Sequence, residues 1–363
     1  MNMQTCTRCI MDETDPNIRF DNSGICNHCK KYDELDVPAG KFDDMIKEIK
    51  QSGKKKKYDC LIGLSGGVDS SFVAYNAVKA GLSPLAFHLD NGWNTEIGNQ
   101  NVKNIITKLN IPMETVTLEW DEFKDIQLSF LKASVPDLEI PTDHALQAAL
   151  HEMANKHGIK YILMGCNTKT ESHVPDTWSQ GYFDWKYIKS IHDQFGNVPL
   201  KTFPHMTLTA LNRYSMKHKM INVLNYMDYN KAKAMNIMEK EIGWKYYGGK
   251  HYESIYTRFY QGYILPVKFG FDKRKSHFSS LICAGQMTRA QALEELKKPT
   301  YPLDLQNEDK QFVIKKFGLT DKEFDGLMKL PNKKFEDYPS SSDILNSSAY
   351  RIIIGGLQKC GVM

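Results

Sequence analysis

Between residues 59 and 164 short apolar runs alternate with longer amphipathic stretches, and this alternation constrains the fold more than anything else in the 363-residue chain. The run CLIGL at 60–64 predicts a buried strand, 69–81 a helix with Gly81 as its C-cap, and 83–90 a second strand. The pattern continues with a helix at 96–109, a strand at 113–118, helices at 121–133 and 145–157, and a strand at 161–164. Strands separated by helices pair in parallel, with helices covering both faces of the sheet. The expected fold class is therefore α/β, and ligands in such folds bind beyond the carboxyl ends of the strands. Residues 65–70, 90–93 and 165–169 follow predicted strand ends, so they should converge on one crevice.

Ahead of this block stand Cys6-x-x-Cys9 and Cys26-x-x-Cys29, two knuckles sixteen residues apart. A segment so short and so poor in apolar residues needs another source of stability, and four thiolates at this spacing can close a tetrahedron around Zn2+. Four cysteines leave no open coordination position, which points to a structural metal; His28 in place of one cysteine is the competing set. Residues 1–40 are thus expected as a zinc ribbon, residues 55–204 as the α/β domain, and residues 205–363, where helical patterns dominate, as a mostly helical C-terminal region. The lysine run at 54–57 reads as a solvated linker. With a net charge of only +4, the whole chain does not advertise a nucleic-acid partner. No run approaches the roughly 18 apolar residues that span a bilayer, and the polar N-terminus lacks a signal-peptide core, so the expected setting is cytoplasmic, without a membrane partner.

The chemistry is concentrated in SGGVDSS, residues 65–71, between the first strand and helix. A Walker loop would carry Gly-Lys-Ser/Thr, and this one has no lysine. It keeps the elements of anion capture: glycines for close backbone approach, serine hydroxyls, and the N–H groups of a helix N-terminus. Asp69 sits where it can ligate Mg2+ or cap the helix.

SGGVDSS resembles the signature of the PP-loop ATP pyrophosphatase superfamily, which cleaves ATP between its α and β phosphates. The stretch from Gly243 to Leu296 resembles N-acetyl sugar amidotransferases of the PseA and WbpG type, and that resemblance extends along the chain. It implies an adenine nucleotide alpha hydrolase-like PP-loop fold. The implied enzyme uses ATP and Mg2+ to convert an acetamido group of a nucleotide-linked sugar to acetamidino, through an O-adenylated intermediate and ammonia, in surface-glycan biosynthesis. Residue 2 is Asn2 and no Gly-x-Cys-x-Gly elbow occurs, so no glutaminase is expected within the sequence. The resemblance instead suggests separate glutaminase and cyclase-like partners that deliver ammonia.

Asp69 and Ser70 are the candidate catalytic residues. ATP and its pyrophosphate are assigned to Ser65, Gly66, Gly67, Val68, Asp69 and Ser70, with His88, Asp90, Gly165 and Asn167 at neighbouring strand ends. Candidate substrate contacts are Asp143, His144, Lys169 and Glu171, together with Lys268, Lys273 and Arg274 in a basic loop around Gly270. Asp90 and Asp143 serve equally well as turn or helix caps, and the basic loop equally well as a charged surface. Cys166, after a strand end, is the one thiol suited to a runner-up activity, tRNA sulfur transfer; a buried inert thiol is its bland alternative.

Overall fold

The computed structural model of the chain describes residues 3–342. Five strands, β1 Cys60–Gly63, β2 Pro84–Asp90, β3 Met113–Thr117, β4 Tyr161–Met164 and β5 Lys219–Asn222, form one sheet in the order β3-β2-β1-β4-β5. Every neighbouring pair is parallel, and Ile62 of β1 stands in register with Ala86 of β2 and Leu163 of β4. The composition explains the order. CLIG and YILM are almost wholly buried and take central places, whereas METVT and KMIN are more exposed and lie at the edges.

In chain order, α1 Asn27–Asp33 closes the cysteine segment and α2 Phe42–Gly53 leads to β1. Helices α3 Val68–Lys79 and α4 Glu96–Leu109 follow β1 and β2, and α5 Trp120–Ala133 and α6 Ile140–Lys156 connect β3 to β4. Between β4 and β5 come α7 Thr168–Glu171, α8 Trp185–Phe195 and α9 Leu208–Lys217. Beyond β5 run α10 Lys231–Ile242, α11 Ile255–Phe259, a π-helix over Tyr260–Phe269, α12 Arg274–Cys283, α13 Arg289–Leu296, α14 Leu303–Phe317 and α15 Asp321–Met328.

Alternation along the strands sends side chains to opposite faces. Ile62, Ala86 and Leu163 pack with residues of α2, α3 and α10, while Leu61, Leu85 and Ile162 pack against Leu150, Met153 and Ala154 of α6. A third core joins α5 and α8 to the C-terminal helices and the four cysteines.

The α/β expectation holds, with two differences. The sheet gains β5 from the stretch expected to be helical; an edge strand of four residues with one buried side chain carries almost no periodic signal. Helix α6 starts at Ile140, with Pro141 in its first turn, so Asp143 lies inside the helix and its N–H donates to the carbonyl of Glu139 at 2.9 Å, which excludes an N-cap role. Lys54 to Lys57 are exposed, as a solvated linker requires. Asn2 and the end of the region expected to run to 363 lie outside the described residues. Among the described residues no helix is long and apolar enough to cross a membrane.

Candidate active site

The order of the sheet reverses direction at β1, whose neighbours β2 and β4 lead away on either side. Loops leaving the carboxyl ends of β1 and β4 therefore part and leave a crevice between them. A cavity of about 360 Å³ occupies it, in the range of small-ligand sites.

The loop after β1 forms one wall. Gly66 has φ +83°, and a Cβ there would lie 2.4 Å from the carbonyl oxygen of Gly98, so only glycine fits. Ser65 Oγ accepts the Gly67 N–H at 3.2 Å, and Ser70 and Ser71 donate to the Gly67 carbonyl at 3.2 and 2.6 Å. The C-terminal region buttresses the loop from behind: Trp244 Nε1 donates to the Gly66 carbonyl at 2.9 Å, and Tyr247 OH accepts the Val68 N–H at 3.4 Å. Opposite, Gly165 approaches so closely that a Cβ would stand 2.8 Å from the Ser70 nitrogen.

Asp69 accepts a short hydrogen bond from Tyr229 OH. Enclosure raises its carboxyl above the ordinary range, opposed by the positive charges of Lys250 and Lys231. Burial would also raise Glu171, but Lys250, whose Nζ donates to it at 2.7 Å, outweighs that effect and holds the group low. Tyr229 holds the loop carboxylate, and the charges of Lys250 and Lys231 act on it, all three coming from the C-terminal half. His88 is fixed in the wall: Nδ1 donates to the Leu64 carbonyl at 2.7 Å and Nε2 accepts from Asn94 at 3.1 Å.

Across the cavity, burial first and then the charge of Asp143 push Glu139 up to about 8. Burial and Asp137 push Asp143 up to about 7, with Lys273 opposing both shifts. Glu139 accepts from Thr257 at 2.9 Å through Oε2, while its buried Oε1 has no partner. Cys166 opens onto the same space; enclosure, then Glu171, push its thiol up to about 12.

Of the sequence candidates, Ser65, Gly67, Val68, Asp69, Ser70, His88, Asp143, Gly165, Glu171 and Lys273 line the cavity, and Gly66 shapes its loop. Six others do not line it and make contacts within the protein. Asp90 accepts the Gly92 N–H at 2.9 Å and holds a turn. Asn167 caps α7 through the Thr170 N–H at 3.0 Å. His144 is fully buried between the Tyr182 carbonyl and the Met206 N–H, and burial lowers its pKa to about 4. Lys169 pairs with Asp228 at 2.9 Å. Lys268 donates to three carbonyls at the end of α15, those of Leu327, Met328 and Leu330. Arg274 grips Asp272 and the carbonyls of Glu295, Lys298 and Pro299. Asp137, Glu139, Tyr229, Lys231, Lys250 and Glu253 are not among the sequence candidates, because a lone charged or aromatic residue outside a motif reads as surface or core until the chain folds.

Away from the cavity, Cys6, Cys9, Cys26 and Cys29 are fully buried with their sulfurs gathered together: Cys6 lies 3.9 Å from Cys29 and Cys9 lies 3.7 Å from Cys26. Cys6 Sγ accepts the backbone N–H groups of Cys9 and Cys26 at 3.4 and 3.3 Å, which favours thiolate over thiol. The set fits tetrahedral Zn2+. His28 is not part of this set: the four sulfurs gather without it, and its Nε2 lies 2.7 Å from Asp15.

Comparison with known proteins finds two families, each over a different part of the chain. Residues 41–174 match the NAD synthase family, and residues 253–351 match the family described as LPS biosynthesis protein WbpG-like, C-terminal domain. A probable mitochondrial tRNA-specific 2-thiouridylase 1 from Caenorhabditis elegans is 31% identical over 94 residues, 22% of this chain and 25% of that protein. The match thus spans about a quarter of that relative's length. Among solved structures, NMN synthetase from Francisella tularensis aligns with 15% identity and a TM-score of 0.38 over 77% of this chain and 93% of that one. An NH3-dependent NAD synthetase from Campylobacter jejuni aligns with 14% identity and a TM-score of 0.32 over 84% and 98%. Both overlaps are too loose to bear on the site.

Proposed function

We propose that this chain, which joins a PP-loop domain of the NAD synthase type to a WbpG-like C-terminal domain, is an AMP- and pyrophosphate-forming amidotransferase acting on the acetamido group of a nucleotide-linked sugar in surface-glycan biosynthesis. The observation that carries the reading is the shared cavity. Glu253, Ser254, Thr257, Gln261 and Lys273 of the WbpG-like stretch face the same space as Ser65 to Ser70. The backbone joins the two parts as well, since the Thr95 N–H donates to the Glu253 carbonyl and the Ile255 N–H to the Trp93 carbonyl, both at 2.8 Å.

In the proposed reaction the amide oxygen attacks the α phosphorus of ATP and pyrophosphate leaves, giving an O-adenylated imidate. Ammonia adds to the imidate carbon, AMP departs with the original amide oxygen, and an amidine remains. The loop N–H groups and the Ser65 and Ser70 hydroxyls hold the departing pyrophosphate, while Lys231 and Lys250 offset its charge. Asp69, with Glu171 beside it, is the group that would hold Mg2+, which supplies charge neutralisation on the phosphates. Glu139 and Asp143 titrate close to neutrality and are suited to take the proton that attacking ammonia must lose. Free ammonia is scarce at neutral pH, so we assign its delivery to separate glutaminase and cyclase-like partners. Purified protein given Mg2+, ATP, ammonium and an acetamido sugar nucleotide should release AMP and pyrophosphate; ADP and phosphate would refute the reading.

A second reading, tRNA sulfur transfer, has the 2-thiouridylase likeness and the position of Cys166 in its favour. Cys166 is exposed to solvent, yet the enclosing site, then the charge of Glu171, push its thiol up to about 12, which disfavours the thiolate that sulfur transfer needs. Cys166→Ser should leave turnover within a few-fold of the parent if the chain is an amidotransferase and abolish it if sulfur passes through this residue.

A further inference from the structure

Beside the four-cysteine cluster lies a second group of soft donors drawn from three distant parts of the chain. Cys29 Sγ is 3.6 Å from Cys283 Sγ and 3.8 Å from His173 Nε2, and Cys283 Sγ is 3.5 Å from the same nitrogen. A tetrahedral zinc with bonds of about 2.3 Å to sulfur and about 2.0–2.1 Å to nitrogen sets neighbouring sulfurs about 3.8 Å apart and sulfur–nitrogen pairs about 3.5 Å apart. The observed triangle matches those edges. We propose that Cys29, His173 and Cys283 form a second Zn2+ centre that shares the Cys29 thiolate with the four-cysteine centre.

The surroundings support ligation over simple packing. His173 Nδ1 lies 2.9 Å from Ser172 Oγ and 3.4 Å from Ser280 Oγ, so a proton on Nδ1 is accommodated and the Nε2 lone pair faces the two sulfurs, as in metal-binding histidines. The His173 backbone N–H donates to Ser280 Oγ at 3.2 Å, which fixes the ring to α12. Arg289 holds the carbonyls of Cys9 and Cys6 at 3.0 and 3.1 Å, and Ser279 accepts the Ile10 N–H at 3.2 Å, so bonds that involve no metal seat the ribbon on α12 and α13. Cys29 and His173 are fully buried and Cys283 is partly exposed, which puts the fourth coordination position, open to water, on the Cys283 side.

Binding at this centre would release the Cys283 thiol proton to solvent and tie the N-terminal ribbon to two other segments. One is α12. The other follows α7, whose Glu171 holds Lys250 in the cavity.

The test is metal content of the full-length protein, loaded with Zn2+ and then exchanged into metal-free buffer. Two zinc ions per chain are expected, falling to one in Cys283→Ser and in His173→Gln, with Co2+ reconstitution losing part of the thiolate charge-transfer absorption in each variant. One zinc in the parent and in both variants would overturn the proposal, as would one in the parent and none in Cys283→Ser, which would place Cys283 in a single centre. A disulfide between Cys29 and Cys283 in the purified protein would overturn it too. Should either variant fail to fold by circular dichroism, the parent's stoichiometry of two against one still decides.

Discussion

Asp69 ties a loop without lysine to the C-terminal half of the chain. Its carboxylate is held by Tyr229, and the cations that answer it, Lys231 and Lys250, come from beyond the sheet. Asp69→Asn keeps the shape and removes the charge; kcat should fall about 10²–10³-fold with no loss of melting temperature. An unchanged kcat at saturating Mg2+ would reduce Asp69 to a structural residue. Glu139 and Asp143 make a prediction about stability. Their folded pKa values, about 8 and about 7, lie above their ordinary values of 4.5 and 3.8, so the folded state binds more protons than the unfolded state between those limits. Their contribution to stability therefore falls as pH rises from about 4 to about 8. Glu139→Gln and Asp143→Asn should relieve this, each raising stability on the order of 1–3 kcal/mol near pH 8 and little near pH 4.5, as read by thermal melts across pH. A gain independent of pH would show that the carboxyls are not strained by ionisation. The loop residues were legible because their spacing is local. Glu139 was not, since its importance comes from burial and from Asp143 on the same helix turning toward the same cavity.

Among the elements, the contact between the β1 and β4 loops controls the site. With a Cβ at Gly165 only 2.8 Å from the Ser70 nitrogen and 3.0 Å from the Asp69 carbonyl carbon, Gly165→Ala must move backbone, because no flexible side chain can yield. The expected cost is about 1–3 kcal/mol of stability, with a larger proportional loss of ATP-dependent turnover. Wild-type kinetics would mean that the loops part without consequence. Strands β1, β2 and β4, and helices α4 and α10, could be read from the sequence since apolar periodicity and end signals agreed there; α10, for example, ends at Gly243 with φ +74°. Helix α8 carries such signals, with Asp184 as its N-cap and Tyr187, Ile188 and Ile191 on one buried face, yet it is not among the expected helices; α12 carries none. In α12 the buried residues are Ser276, Ser279 and Ser280, which polarity patterns assign to solvent. The same blindness hid His173 and Cys283, whose meaning depends on a ribbon more than a hundred residues away in sequence.

At the scale of the molecule, the C-terminal helices are fastened to one another by a buried ion pair. Arg258 of α11 grips Asp309 of α14 with two hydrogen bonds of 2.7 and 2.6 Å. Arg258→Leu alone should cost about 3–5 kcal/mol by stranding a buried carboxylate, and adding Asp309→Leu should recover much of it. A double variant no more stable than the single one would contradict that account. The pair matters to function because α11 carries Thr257, which donates to Glu139 across the cavity. The sheet domain and the C-terminal helices thus line one cavity together, and in the proposed function the former holds the nucleotide while the latter completes the site. The central claim is that the amide oxygen itself is adenylated. Its most direct measurement is a turnover of acetamido substrate labelled with ¹⁸O in the amide, followed by mass spectrometry of the products. The label should appear in AMP, in a one-to-one ratio with the amidine formed. Label released as water, with none in AMP, would contradict it.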